Sequence, residues 1–176
     1  IQKPFSTERL LNFLKRAIEN VDLKKEKRVL ENKLFHSYEI IGKSQSIEKV
    51  KSLIVKLKNT ESRIFISGPA GSGKELVARQ IHKQSSRSKK PFVVVNGALL
   101  DPQKYELELF GSENSNETTT YGFFEKAKDG TLLIDEVTEI PLETQAKILR
   151  VLIDQKFRRV NGLKEINVNV RIISTS

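Results

Sequence analysis

The sequence predicts an α/β fold built on a parallel sheet, and three observations carry that prediction. Arg63–Ser67, Phe92–Asn96, Thr131–Asp135 and Val170–Ser174 are short apolar runs of the kind that a sheet buries on both faces. Helical stretches lie between them at Lys74–Ser85, Tyr105–Phe110 and Leu142–Asp154; strands that alternate with helices are joined by right-handed crossovers, which makes them parallel. A glycine-rich segment, Gly68–Lys74, joins the first run directly to the helix that follows it.

Residues 1–37 are read apart from this unit. From Ser6 to about Leu34 there is neither glycine nor proline, and Leu, Lys, Glu and Arg dominate, so one long linker helix is expected with Ser6 as its N-cap. Leu11, Leu14, Ile18 and Val21 recur at alternating spacings of three and four and form an apolar stripe. Lys25 and Arg28 interrupt the stripe before Leu30 and Leu34, so no continuous heptad seam results. Two readings stand side by side: a helix that pairs with a second copy, and a helix packed on its own chain. The pattern breaks over Tyr38–Ser46, where Gly42 marks a turn, and the amphipathic stretch Ile47–Leu57 opens a second domain, residues 38–176. Within that domain Ser112–Thr120 is polar throughout, and Phe157–Val160 with Ile166–Asn169 flank the turn pair Asn161-Gly162, which predicts a hairpin before the last strand.

Composition narrows the function classes. A chain of 176 residues, 38% hydrophobic and 30% charged, has the make-up of one soluble globular domain with added surface helix. It contains no run of about 20 apolar residues and no basic-then-apolar start, so no membrane partner is expected and the setting is cytoplasmic. The absence of cysteine excludes disulfides and thiolate metal sites, and His36 and His82 alone do not make a zinc site. The net charge of +9 is concentrated in Lys24–Arg28 and Arg87–Lys90, where no aromatic residue interleaves to stack a base. Both runs read as solvated faces, and contact with DNA is expected from a segment outside this chain. The start at Ile1 and the end directly after an apolar run give the expectation that both ends are cut from a longer protein.

The chemistry centres on Gly68-Pro69-Ala70-Gly71-Ser72-Gly73-Lys74, which follows a buried strand and opens a helix, as a phosphate-binding P-loop requires. Its glycines let backbone N–H groups turn toward an anion, the helix N-terminus adds partial positive charge, and Lys74 can reach the β and γ phosphates of ATP. Glu75 stands where most such loops carry a Ser or Thr that helps hold Mg2+; the metal is therefore expected to be held by phosphates, water and Asp135. Asp135 and Glu136 end a buried strand and emerge at the C-terminal edge of the sheet, where α/β folds bind ligands. Asp135 is the candidate for orienting the magnesium shell and Glu136 for polarising the attacking water. Asn96 ends another strand on the same edge and is placed to hydrogen-bond Glu136; a turn residue is its other reading.

These residues carry a resemblance. Gly68–Glu75, Asn96, Glu108-Leu109-Phe110-Gly111, Gly130–Glu136, Gln145–Leu152 and Val170–Ile173 resemble the AAA+ domain of sigma-54-dependent transcription activators, with the likeness running from about Tyr38 to Ser176. Phe92–Leu100 and Asp154–Ile173 are similar to the NtrX response regulators in particular, and Lys3-Pro4-Phe5 with Leu10-Leu11 resembles the last loop and helix of a receiver domain. The resemblance implies a P-loop three-layer sandwich, a ring assembly, commonly a hexamer, and ATP bound between subunits. It implies phosphate binding at Lys74, Mg2+ at Asp135, hydrolysis at Glu136, a switching contact from Asn96 to Glu136, and Arg159 and Arg171 as arginines reaching a neighbour's γ-phosphate. It adds Ile41 and Gly42 to the nucleotide-binding set. An isolated monomer is then expected to be a poor ATPase.

The sequence departs from the family after Glu108–Gly111. Activators carry a Gly-Ala-Phe-Thr-Gly-Ala loop there, whereas Ser112–Gly122 reads Ser-Glu-Asn-Ser-Asn-Glu-Thr-Thr-Thr-Tyr-Gly, which leaves contact with RNA polymerase open. The implied partners are a second copy of the chain in a dimer or ring, an upstream receiver domain with its sensor kinase, and DNA through a C-terminal domain. Two functions follow: an ATPase of two-component transcription control, or an interaction module in which ATP binding sets oligomeric state with little hydrolysis. A small-molecule P-loop kinase accounts for the loop but for none of the blocks after Asn96.

Overall fold

The computed structural model describes residues 39–113 and 119–176; the expected helix Ser6–Leu34 lies outside the described residues. Chain order begins with α1 (Gln45–Leu57), whose N-cap Ser44 accepts the Ile47 N–H at 3.3 Å. Then come β1 (Ile64–Ile66), α2 (Lys74–Gln84), β2 (Phe92–Asn96), α3 (Tyr105–Phe110), β3 (Ser112–Glu113), β4 (Thr119–Thr120) and α4 (Phe123–Lys126). The chain continues through β5 (Thr131–Asp135), α5 (Leu142–Asp154), β6 (Lys156–Arg158), β7 (Glu165–Asn167) and β8 (Arg171–Thr175).

The main sheet has the order β1-β8-β5-β2 and is parallel throughout, as the alternation of strands and helices predicts. Successive side chains of a strand point to opposite faces, and β5 divides accordingly. Leu132 and Ile134 pack with Tyr105, Leu109, Phe124, Ile148 and Val151 from α3, α4 and α5, while Leu133 packs with Ile54, Ala78 and Ile81 from α1 and α2. Helices cover both faces, giving three layers. Phe110, Phe124 and Phe157 meet at ring-centroid separations of 5.5 to 5.9 Å on the first of these faces.

The strand order decides the site. β1 and β2 are the two edges, and the strands inserted between them, β8 and β5, come last in the chain. The C-terminal ends of all four therefore line up: the loop after β1 bonds to β8 through Gly68 N–H to Ser176 O at 3.2 Å, and Asn96 is in register with Asp135.

Several boundaries differ from expectation. The first strand is limited to Ile64–Ile66, and beside it the Arg63 guanidinium donates to the Leu152 carbonyl at 2.9 Å. The late hairpin pairs Lys156–Arg158 with Glu165–Asn167, and the turn that includes Asn161 and Gly162 is closed by a bond from Gly162 N–H to Arg159 O at 2.9 Å. Within the polar stretch Ser112–Thr120, Ser112 pairs with Thr120 and Glu113 with Thr119 in the antiparallel pair β3–β4.

Candidate nucleotide-binding site

The loop from β1 to α2 is shaped by two left-handed glycines, Gly71 at φ +76° and Gly73 at φ +88°, a region L side chains rarely enter. A Cβ added at Gly71 would meet nothing within 4 Å, so the backbone there borders open space that an anion can approach. Gly73 is the N-cap of α2 and, having no side chain, leaves the N–H groups of the first turn without a side-chain cap. Those donors and the helix dipole make a ready anion site. Pro69, Ala70, Gly71 and Ser72 are exposed at the loop's tip. Lys74, the first residue of α2, folds back over the loop: its Nζ donates to Gly68 O at 2.9 Å and lies 3.4 Å from Glu136 Oε1, with the side chain only 9% exposed.

Asp135 and Glu136 leave β5 beside it. Asn96 Nδ2 donates to Asp135 Oδ2 at 3.1 Å, and the Thr175 hydroxyl donates to Asp135 Oδ1. The carboxylate is thereby fixed from both sides. The chain turns sharply at Glu136, which adopts φ 49°, and its N–H donates to Thr175 Oγ1 at 3.1 Å. Gly97 lies under this turn, where a Cβ would come within 2.5 Å of Glu136 O. Thr175 and Gly97 were not legible as site residues, because only the sheet order brings β8 and β2 to the two sides of β5.

The predicted set is thus divided. Lys74, Asp135, Glu136 and Asn96 converge, but Asn96 bonds Asp135 and not Glu136, since the parallel register sets Asn96 directly opposite Asp135 while Glu136 turns away. The other end of the Asn96 side chain accepts the Ala98 N–H at 2.9 Å. Glu75 points along its own helix to Arg79, 2.6 Å away. Ile41 is 91% exposed, and Gly42 offers its carbonyl to Lys51 Nζ at 2.8 Å. Arg171 and Arg159 stand apart from the cluster. Arg171 opens β8 at the opposite edge of the sheet and is 2% exposed, with Nη2 on Leu57 O at 3.2 Å; burial pulls its pKa down. Arg159 is held by Glu113 and Glu125 with its side chain 12% exposed.

The protein groups fit a metal held chiefly by its nucleotide. Among the described residues no group of three or more acidic, His or Cys side chains could hold an ion by itself. Asp135 provides one oriented carboxylate, and Mg2+ ordinarily keeps most of its shell for phosphate and water. Among the described residues, too, no helix is long and apolar enough to cross a membrane.

Comparison with known proteins agrees with this geometry. Residues 40–176 match the sigma-54 interaction domain. The nitrogen assimilation regulatory protein NtrX of Azorhizobium caulinodans is 42% identical over 177 residues, which cover 100% of this chain and 39% of that protein. The crystal structure of NtrX from Brucella abortus superposes with a TM-score of 0.85 at 46% identity, covering 100% of this chain and 39% of that one. The same protein in complex with ATP superposes at 0.79, also at 46% identity, over 100% of this chain and 40% of that one. The chain thus spans about two fifths of these relatives. It belongs to the sigma-54 interaction domain family and is an AAA+ domain of the type found in NtrX- and NtrC-like response regulators.

Proposed function

We propose that this chain binds Mg2+–ATP and hydrolyses it as the central domain of a two-component transcription regulator, acting through nucleotide-dependent oligomerisation. The observation that carries the reading is the convergence of Lys74, Asp135 and Glu136 at one edge of the sheet, with Asp135 fixed by Asn96 and Thr175. Lys74 and the first-turn N–H groups of α2 would take the phosphates, with the loop Gly68–Gly73 wrapped around them. Ile41, an apolar side chain in solvent, and Gly42 would border the base, while Glu75 would frame the loop from outside through its pair with Arg79. Asp135 would hold the metal's hydrated side, and the metal, when bound, neutralises phosphate charge. Glu136 would orient the attacking water; a positioned base of this kind contributes about 100-fold or more to rate.

In the larger protein, residues 1–37 would be the end of a receiver domain and its linker helix, residues 38–176 the ATPase core, and DNA would be read by a further domain. A sensor kinase would act on the receiver, copies would assemble as a dimer or hexameric ring in the cytoplasm, and contact with RNA polymerase would depend on the segment after Gly111. A second reading keeps nucleotide binding but makes it a switch of assembly with little turnover. Two features favour it: the absence of the Gly-Ala-Phe-Thr-Gly-Ala sequence after Gly111, and the sequestration of Arg159. Steady-state ATP hydrolysis by the full-length protein across a concentration series, with Glu136→Gln beside it, separates the two. A rate per subunit that climbs with concentration and collapses in the variant supports the ATPase; tight ATP binding without such turnover leaves the switch.

A further inference from the structure

The chain leaves the edge that carries the acids through two short 3-10 turns, Gly97–Leu99 after Asn96 and Val137–Glu139 after Glu136. Each turn governs one side of the site. The first holds the Asn96 side chain, since Oδ1 accepts the Ala98 N–H at 2.9 Å while Nδ2 donates to Asp135. The second starts at Glu136 and closes through Glu139 N–H to Glu136 O at 3.1 Å, with Ile140 N–H on Val137 O at 3.2 Å. The two turns touch at Gly97, where an added Cβ would stand 2.5 Å from Glu136 O and 2.9 Å from Ile140 Cγ1. Backbone carbonyls drawn into such a contact need a donor, and it comes from a third element.

Tyr105, the first residue of α3, is buried, with its ring in the cluster that holds Leu132, Ile134 and Ile140. Its hydroxyl stands between the turns, 3.1 Å from Gly97 O and 3.4 Å from Glu139 O. A phenol has one proton to donate, so the two carbonyls share it, and the packed ring fixes where it can be offered. Among the described residues both hydrogen bonds of this hydroxyl go to the two turns, and none goes to the loop Gly68–Lys74. We propose that Tyr105 is a positioning residue for the acids: its hydroxyl bridges the turn after Asn96 and the turn after Glu136, and so sets how Asn96, Asp135 and Glu136 face the phosphate loop. Its part in hydrolysis rests on the Mg2+–ATP reading above; the bridge itself does not.

Residue-resolved hydrogen–deuterium exchange and ATP hydrolysis of the full-length protein test this, with Tyr105→Phe and Tyr105→Leu. Tyr105→Phe keeps the ring and removes only the hydroxyl. It is expected to raise exchange about fivefold at Ala98 and at Glu139 and Ile140 together, the factor that follows from losing about one neutral hydrogen bond, with β5 amides unchanged. Hydrolysis should show kcat lowered about fivefold at unchanged KM for ATP, because the acids shift and the phosphate loop does not. Exchange that stays level in Tyr105→Phe, or rises at one turn alone, overturns the bridge. A change seen only in Tyr105→Leu overturns it too, since the ring would then act by packing. Raised exchange at both turns with unchanged kcat overturns the positioning role. If the unaltered protein does not hydrolyse ATP while Tyr105→Phe still frees both turns, the ATPase reading has failed and the bridge stands.

Discussion

Thr175 holds two groups at once: its hydroxyl donates to Asp135 Oδ1 and accepts the Glu136 N–H, and the residue is wholly buried. Replacing it by Val conserves shape but leaves both partners without this bond. Thr175→Val is expected to lose about 1–3 kcal/mol of stability in urea unfolding and to weaken hydrolysis more than nucleotide binding, because it disturbs the acids and not the loop. Asn96 makes the clearest lesson in what a sequence conceals. Its place at the strand end was legible from the apolar run before it, yet its partner was not, since choosing between adjacent acids needs the register and the backbone turn at Glu136. Arg159 and Arg171 illustrate the same limit. Exposure of an arginine depends on distant partners, here Glu113 and Glu125 for one and the carbonyl of Leu57 for the other.

Among the elements, α2 and β5 share a titratable contact that the nucleotide chemistry leaves aside. His82 on α2 is buried, its Nδ1 lies 2.9 Å from Thr131 Oγ1 at the start of β5, and its ring centroid is 5.0 Å from that of Phe92. Burial is the main cause that holds its pKa down to about 4 against an ordinary 6.5, with the charges of Arg171, Arg79 and Arg87 adding to it. Between those two values the unfolded chain takes up a proton that the folded chain refuses. Stability from this group is therefore complete above pH 6.5 and falls as pH drops toward 4, by as much as about 3 kcal/mol. Urea midpoints at pH 7 and pH 5 should differ accordingly, and His82→Gln should flatten the difference.

The strands of the main sheet and the three longer helices were legible because their apolar periodicity is strong and their ends carry turn residues. The pair β3–β4 was not: Ser112, Glu113, Thr119 and Thr120 give no alternation to read. What holds them is a long-range contact with Val160 and an ion cluster.

At the scale of the whole molecule the parallel order β1-β8-β5-β2 does the gathering, since it sets the loop after β1, the end of β8 and the end of β5 side by side. Sequence alone gave the alternation that implies such a sheet, but not that Thr175 would complete the site. Family membership accounts for the same architecture in relatives of more than twice this length. If ring assembly completes the site, the rate per subunit should rise with protein concentration, and nucleotide should shift the assembly equilibrium. Analytical ultracentrifugation with and without nucleotide checks the assembly directly.

The central claim is that Lys74 and its loop bind the phosphates of ATP. Equilibrium titration of a slowly hydrolysed ATP analogue with Mg2+ into the unaltered protein and into Lys74→Ala tests it most directly. The account predicts saturable one-to-one binding that weakens about tenfold or more in the variant, the loss expected for a charge-assisted hydrogen bond in a largely buried site; equal affinity in the two proteins, or no binding to either, would contradict it.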